Sequence, residues 1–284
     1  MKDLTKYIVE YQQVIYNLTN LDLYKSIVFP LLIVTAIFLL ERKFVPQPQI
    51  VEKNSKNTFV WESILYILHY TPILPILSAL GSFGIFNLLK ILLKIPDYTL
   101  FDQINPNLRN VVFILLVDFF AYVSHYILHK NKLLFKFHSF HHSASHFNIV
   151  TVHRVHFVEV AFIKVFQTFA LVMLGGNAEV FWSYYFLGTV IGHLKHSNFK
   201  FNYPGFLKYL IQSPAHHWVH HSKNPKHFDK NFGDNFQIWD FLFGTNYDPS
   251  VEEINEIELG LDETQNIKDN FWDLFLLGYG IKRT

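Results

Sequence analysis

Fourteen of the chain's 16 histidines fall between His125 and His221, a 97-residue window in which an even scatter over 284 residues would place about five. Imidazole is polar, titrates near neutral pH and binds metals, so a fold must either expose that many or gather them for a purpose. Their spacing argues for gathering. His125 and His129 stand at i, i+4 near the end of an apolar segment, which puts both on one helix face with Cβ atoms about 5–6 Å apart. Asp118 and Tyr122 extend the same stripe. A carboxylate inside an apolar helix is costly without a partner, and its natural task there is to accept the free N–H of a ligating imidazole. His138, His141 and His142 form an HxxHH box, whose helical spacing aims three imidazoles at one point. His217, His220 and His221 repeat the box, with His216 directly before it. His193 and His196 follow the i, i+3 spacing, and His153 and His156 flank Arg154 shortly before Glu159.

A lone histidine in an apolar helix is ordinarily a satisfied packing residue. His69 and His227 read that way, and so do His146 and His153, which lie outside the boxes. Taken together, however, the HxxxH pair, the two HxxHH boxes and the HxxH pair do not suit mere packing, because crowded neutral imidazoles gain little and protonated ones repel. Imidazole suits Zn, Fe, Cu and Ni. One zinc takes about four ligands at most, too few for about ten converging histidines. Two ions with four or five nitrogens each account for the number. Iron in such a centre has redox chemistry and room for O2, whereas zinc has neither.

Half of the chain is apolar, 18% is aromatic and only 17% is charged, with a mean hydropathy of +0.17. That balance fits a membrane protein with polar excursions, since soluble domains carry about 25% charge. A net charge of +1 provides no clustered basic excess for a nucleic acid. With no cysteine, disulfides, thiolate nucleophiles and Cys-bound zinc are excluded. Residues 1–105 read as N-terminal membrane helices and loops, 106–248 as the catalytic unit and 249–284 as an acidic tail with an aromatic stretch, Asn270–Tyr279, suited to a membrane surface. Ser26–Leu40 is an apolar anchor rather than a cleavable signal, because no small-residue cleavage site follows it. Thr58–Lys94 is one span plus a re-entrant piece or two short passes, and Ile95–Arg109 is a loop. Asn110–Leu128 is a span. Phe157–Leu174 and Ala178–Ile191 form a hairpin turning at Gly175-Gly176-Asn177. From His129 to His156 there are four Lys/Arg and no acid, and from Lys195 to Lys230 six Lys against Asp229 alone. The positive-inside rule then puts both His-rich segments on the cytoplasmic face. The expected fold is all-α and integral to the membrane, with about four transmembrane helices capped by a cytosolic helical histidine-box unit.

The boxes His125-xxx-His129, His138-xx-His141-His142 and His217-xx-His220-His221 resemble those of the membrane fatty acid hydroxylase and sterol desaturase superfamily. Asp118, Ser143, Arg154-x-His156-xx-Glu159, His196-Ser197-Asn198 and the stretch Asp229-Lys230-Asn231-Phe232-Gly233 … Ile238-Trp239-Asp240-xx-Phe243-Gly244-Thr245 also match, covering about residues 110–248. Pro214-Ala215-His216-His217 is similar to the branch that includes alkylglycerol monooxygenase and bacterial relatives. Phe157 stands where the family often has proline, which bears on His156 alone. The resemblance implies a membrane stalk capped by a unit holding two Fe ions. It further implies O2-dependent hydroxylation or desaturation of a lipid, with electrons from a separate electron-transfer protein or a reduced pterin. The metal ligands it implies are His125, His129, His138, His141, His142, His193, His196, His216, His217, His220 and His221. His156, Asp118, Glu159, Asn231 and Asp234 are further ligands or orienting residues, with Asn231 and Asp234 equally suited to caps and turns. Trp239 and Phe243 read as core.

Rival readings explain less. A membrane zinc-dependent hydrolase would want HExxH, and no histidine here is followed by Glu. A non-enzymatic metal transporter would string His and acidic groups along several spans at mid-membrane. A haem cytochrome needs only one or two His pairs.

Overall fold

The computed structural model describes residues 28–45, 55–70, 105–174 and 178–261, together with isolated positions at 84, 88, 275, 276 and 279. Among these residues the fold is helical. It has no strands, only two isolated antiparallel bridges, Ile211 with Phe236 and Ser222 with Leu259. The principal helices are α1 (Phe29–Phe44), α2 (Ser55–Tyr70), α3 (Pro106–Lys130), α4 (Lys132–His142), α5 (Phe157–Leu174), α6 (Ala178–Lys195), α7 (Pro214–His220), α8 (Ile238–Phe243) and α9 (Val251–Glu256). Helix α3 is the central beam. It packs along α5 and against α4 and α6, while α1 lies on α6, α2 on the short 3-10 turn Thr151–His153, and α9 on α7.

Local chemistry sets the helix ends that matter for the site. Asn105 caps α3 by accepting from the Asn107 amide at 3.0 Å, and Pro106 occupies the first turn, where no donor is lost. The span expected at Asn110–Leu128 is therefore longer at its start, and residues 106–109 are helix rather than loop. Asn131 breaks α3 from α4, its side chain accepting from the Leu133 and Leu134 amides. The break turns α4 back so that His138 meets His125 and His129. Ser213 caps α7 at the His216 amide, again with proline following.

Helix α3 from Asn107 to Lys130 is long and apolar enough to cross a membrane, the only such helix among the described residues. The turn expected at 175–177 and most of the stretches 1–27, 71–104 and 262–284 lie outside the described residues. In the tail, the rings of Phe275 and Tyr279 pack on His156 at 4.6 and 5.3 Å.

Asp118 has a different task from the one expected of it. It is fully buried on α3, and its carboxylate accepts from the amides of Asn235 (3.0 Å) and Phe236 (3.2 Å), the Trp239 indole N–H (3.0 Å) and the Tyr184 hydroxyl (3.3 Å). No imidazole is among these partners. The residue pins the 235–239 loop and α8 to the beam, where Phe243 stacks on Phe119 and Trp239 packs against it at a tilt. Asp118→Ala would leave the Asn235 and Phe236 amides and the Trp239 indole N–H unmet, while Tyr184 keeps Asp234, at a cost of about 3 kcal/mol. The thermal unfolding midpoint in detergent should fall by roughly 6–12 °C. An unchanged midpoint would show that the loop is held by other means.

Candidate metal centre

The histidines gather into two adjoining groups. His125, His129, His138, His142 and His220 form one; His141, His196, His217 and His221 form the other; within each, the candidate ligand atoms all lie within 4.8 Å of one another. The two groups abut, since the rings of His142 and His221 stack at 4.3 Å. Each HxxHH box therefore does not aim at a single point. In both, the first and last histidines (i, i+4) enter one group and the middle one (i+3) enters the other. Helix geometry gives the reason. Positions i and i+4 differ by about 40° around the axis, whereas i+3 and i+4 differ by about 100°, so a box straddling two centres must split this way. The boxes exchange reciprocally: α4 gives His138 and His142 to the first group and His141 to the second, while the α7 box gives His217 and His221 to the second and His220 to the first.

Tautomers follow from the outer nitrogens. Nδ1 of His125 faces the Phe232 carbonyl at 2.8 Å, of His220 the Lys230 carbonyl at 2.8 Å, of His141 the Arg154 carbonyl at 3.1 Å and of His196 the Gly192 carbonyl at 2.7 Å. A carbonyl only accepts, so each Nδ1 carries the proton and donates. Each Nε2 is then a bare lone pair pointing inward. The Nε2 atoms of His196 and His141 nevertheless stand 3.3 Å apart, and those of His125 and His138 3.1 Å. His129 and His142 reach His138 Nε2 at 3.0 and 3.1 Å, and His217 reaches His196 at 2.9 Å. Lone pairs facing at that distance repel unless a cation lies between them. Nitrogens on neighbouring positions of a metal with bonds of about 2.0–2.1 Å stand about 3 Å apart. His220 Nε2 and both nitrogens of His221 are buried without a hydrogen-bond partner. The donor set fits two resident metal ions.

A supporting frame aims these rings. Glu159 Oε1 lies 2.9 Å from His138 Nδ1 with both side chains buried, which makes it the one carboxylate of the expected orienting set that meets a group member. The loop Lys230–Gly233 supplies the carbonyls for His125 and His220. Asp240 holds that loop by accepting from the Phe232 and Gly233 amides, both at 2.7 Å. Gly233 is required there because a Cβ would collide with the Phe236 carbonyl oxygen. Asn231, in the left-handed region at φ 57°, donates to the His216 and Tyr247 carbonyls and accepts from Gln237 and the Tyr247 amide. It fastens α7 without touching a group member.

Several expected residues stand outside both groups. His193 points Nδ1 at the Thr189 carbonyl (2.7 Å) and Nε2 at the Tyr66 hydroxyl (3.1 Å). His216 faces Ser213 Oγ (3.0 Å) and Asn202 (3.4 Å). Both stand apart from the groups for the same reason: the helical turn that aims their box neighbours inward aims them at other partners. His156 Nδ1 accepts the Val158 amide, capping the start of α5. Asp234 pairs with Lys195 at 3.1 Å and is 40% exposed. His227 is buried and clasped between Ser222 and Glu253, tying α9 to the end of the second box.

The part of the chain that carries both groups, residues 110–245, matches the fatty acid hydroxylase family. Among curated proteins the chain is 30% identical to ornithine lipid hydroxylase OlsE of Rhizobium tropici over 148 residues, 52% of this chain and 44% of that one. It is 27% identical to alkylglycerol monooxygenase of Caenorhabditis elegans (45% of this chain, 25% of that one) and 27% identical to that of Homo sapiens (56% and 35%). The chain thus spans less than half the length of these relatives. No solved structure matches it significantly.

Burial keeps the box imidazoles neutral. It pushes His138, His141 and His220 down from 6.5 to about 3, with neighbouring imidazoles adding to the effect at His141 and His220. Neutral rings are ready to bind metal without first losing a proton. In the unfolded chain the same histidines titrate near 6.5, so below that pH the unfolded state binds more protons and gains on the folded one. The metal-free protein should lose stability as pH falls from about 6.5 toward 3, and be flat above pH 7 as far as these groups are concerned. Chemical unfolding midpoints across that range would show it; a flat acid limb would mean that the rings are not held neutral.

Proposed function

With residues 110–245 belonging to the fatty acid hydroxylase family, we propose that the chain is an integral-membrane di-iron oxygenase that hydroxylates the alkyl chain of a lipid. The observation carrying this reading is the pair of buried all-histidine groups with inward-facing Nε2 atoms. Five nitrogens in the first group exceed the four of a structural zinc site, and an all-nitrogen pair of sites suits a redox metal. The names of the relatives, an ornithine lipid hydroxylase and alkylglycerol monooxygenases, support hydroxylation over desaturation and a lipid substrate. The proposed ligands are the nine grouped histidines; His193, His216 and His156 are left as framework.

When bound, two irons would supply the redox capacity to split O2 at the expense of an unactivated C–H bond. The balanced reaction converts R–H, O2, two electrons and two protons into R–OH and H2O, with the electrons from a separate electron-transfer protein or a reduced pterin. The chain's own residues hold and dry the site. Carbonyls of Arg154, Gly192, Lys230 and Phe232 fix four ligands in the tautomer that leaves Nε2 free. Glu159 Oε1 stands 2.9 Å from His138 Nδ1, where it can accept the ring proton of the tautomer that leaves His138 Nε2 free. Phe232 lies 5.0 Å from the His129 ring, Phe135 lies 5.4 Å from it, and Phe147 stacks on His217 at 5.8 Å, all excluding water. The reading places α3, the α5–α6 hairpin and the N-terminal apolar helices in the bilayer as about four spans, with both His-rich segments at the cytoplasmic face.

Purified protein should hold about two irons per chain, as two ligand groups require. His220→Ala should strip iron from the first group and His141→Ala from the second, each leaving the chain in the membrane. Cells making the wild-type chain under isotopically heavy O2 should yield a labelled hydroxy-lipid that the His220→Ala cells lack. A single bound zinc, or full iron in either variant, would overturn the reading.

A further inference from the structure

Helix α2 lies outside the stretch that matches the family, yet it carries a fully buried carboxylate. Glu62 is 1% exposed. Its Oε1 receives Arg154 Nη1 at 3.0 Å, and its Oε2 receives Asn148 Nδ2 at 3.2 Å. Arg154 is itself 3% exposed, and its remaining donors clamp the end of the first box helix: Nε to the Phe140 carbonyl (3.1 Å) and to Ser143 Oγ (3.2 Å), Nη2 to Ser143 Oγ (2.6 Å). Its guanidinium also lies over the Phe140 ring at 5.0 Å, while Trp61 and Leu65 of α2 pack on that same ring. On the main chain, the Arg154 carbonyl is the acceptor that fixes His141 Nδ1.

We propose that Glu62 is a positioning residue for the four-histidine group, acting through Arg154 on His141. A buried guanidinium needs an opposite charge, and without one it must draw in water or leave. Arg154 cannot leave alone, because its side chain grips residues 140 and 143 on either side of the ligand pair, and its carbonyl sets the ligand's tautomer and direction. His141 is the sole member of the second group on α4, so its loss of aim opens that group while the first keeps His125, His129, His138, His142 and His220. A helix from the N-terminal part of the chain thereby completes the metal centre. This rests on the metal-binding reading above.

The test is anaerobic titration of the full-length, detergent-solubilised protein with Fe(II), following bound iron per chain and the Mössbauer spectrum. Wild type should bind two ions in two distinguishable environments. Glu62→Gln should bind the first normally and the second at least tenfold more weakly, with one spectral component lost. Arg154→Lys, which keeps the buried charge pair but not the fork to Phe140 and Ser143, should do the same if Glu62→Gln fails to fold. Tyr66→Phe is the control. It sits one turn along α2 and removes the bond to His193, outside both groups, so it loosens the same helix without touching His141. It should retain both ions. Two ions bound at wild-type strength by Glu62→Gln or Arg154→Lys would overturn the inference, as would equal loss of iron in Tyr66→Phe. A wild-type protein that binds no pair of ions would instead remove the functional reading itself.

Discussion

Bare lone pairs of buried imidazoles face one another across about 3 Å, and the rest of this structure exists to hold them there. An isolated pair in this posture would rotate apart or share a proton. Here neither escape is open, because the outer nitrogens of His125, His141, His196 and His220 are spent on carbonyls that can only accept. Cations in the interior would meet that electrostatic cost, which would couple metal binding to the stability of this region. The four carbonyls come from three separate segments: the turn before α5, helix α6 itself and two positions of the loop after the second box. Ligand aim is thus a property of the assembled cap rather than of any one helix.

That dependence explains the investment in the segment from Asp229 to Thr245. Its backbone adopts left-handed conformations at Asp229 and Asn231, residues that tolerate them best after glycine. It runs close against the Phe236 carbonyl at Gly233, and its amides are taken up by two buried carboxylates, Asp118 from α3 and Asp240 from α8. Burial pushes Asp240 up to about 6, against the pull of Thr245 and the two loop amides that favour its ionised form. The motif recognisable in the sequence as a string of Asn, Phe, Gly, Trp and Asp is a rigid bracket whose exposed product is two carbonyl oxygens.

Spacing made much of this legible. The i, i+4 and i, i+3 intervals identified all nine grouped histidines and the apolar run identified α3, while the family resemblance offered Glu159 as an orienting carboxylate without saying that His138 is its partner. What spacing could not show was which direction each helix face turns. The HxxHH boxes look like three-ligand claws in one dimension, and only the neighbouring box reveals that each divides between two centres. His193 and His216 share box spacing with true group members, but a residue's helical phase relative to the packed cap decides its partners, and that phase is tertiary. Asp118 fell on the ligand stripe by phase yet sits two turns earlier, at the level of the loop. Glu62 was invisible for a different reason. A single acid in an otherwise apolar helix gives no pattern, and its partner Arg154 lies 92 residues away.

Helix α3 joins the two halves of the problem. From Asn107 to about Ser124 it presents an apolar surface fit for lipid; in its last two turns it presents His125 and His129. At 1.5 Å per residue, His125 lies roughly 10 Å beyond Asp118 along the axis. The loop pinned by Asp118 therefore marks the level at which the cap meets the apolar part of the beam. On the proposed membrane reading, a substrate chain lying in the leaflet beside α3 would have only that short distance to travel to the first histidine group. It would do so alongside aromatic side chains rather than through water. A site built this way need not extract its lipid. On that reading it needs only to keep the oxidising centre dry and at the edge of the hydrocarbon, and the placement of His125 and His129, two of the proposed ligands, on α3 itself fixes that distance covalently.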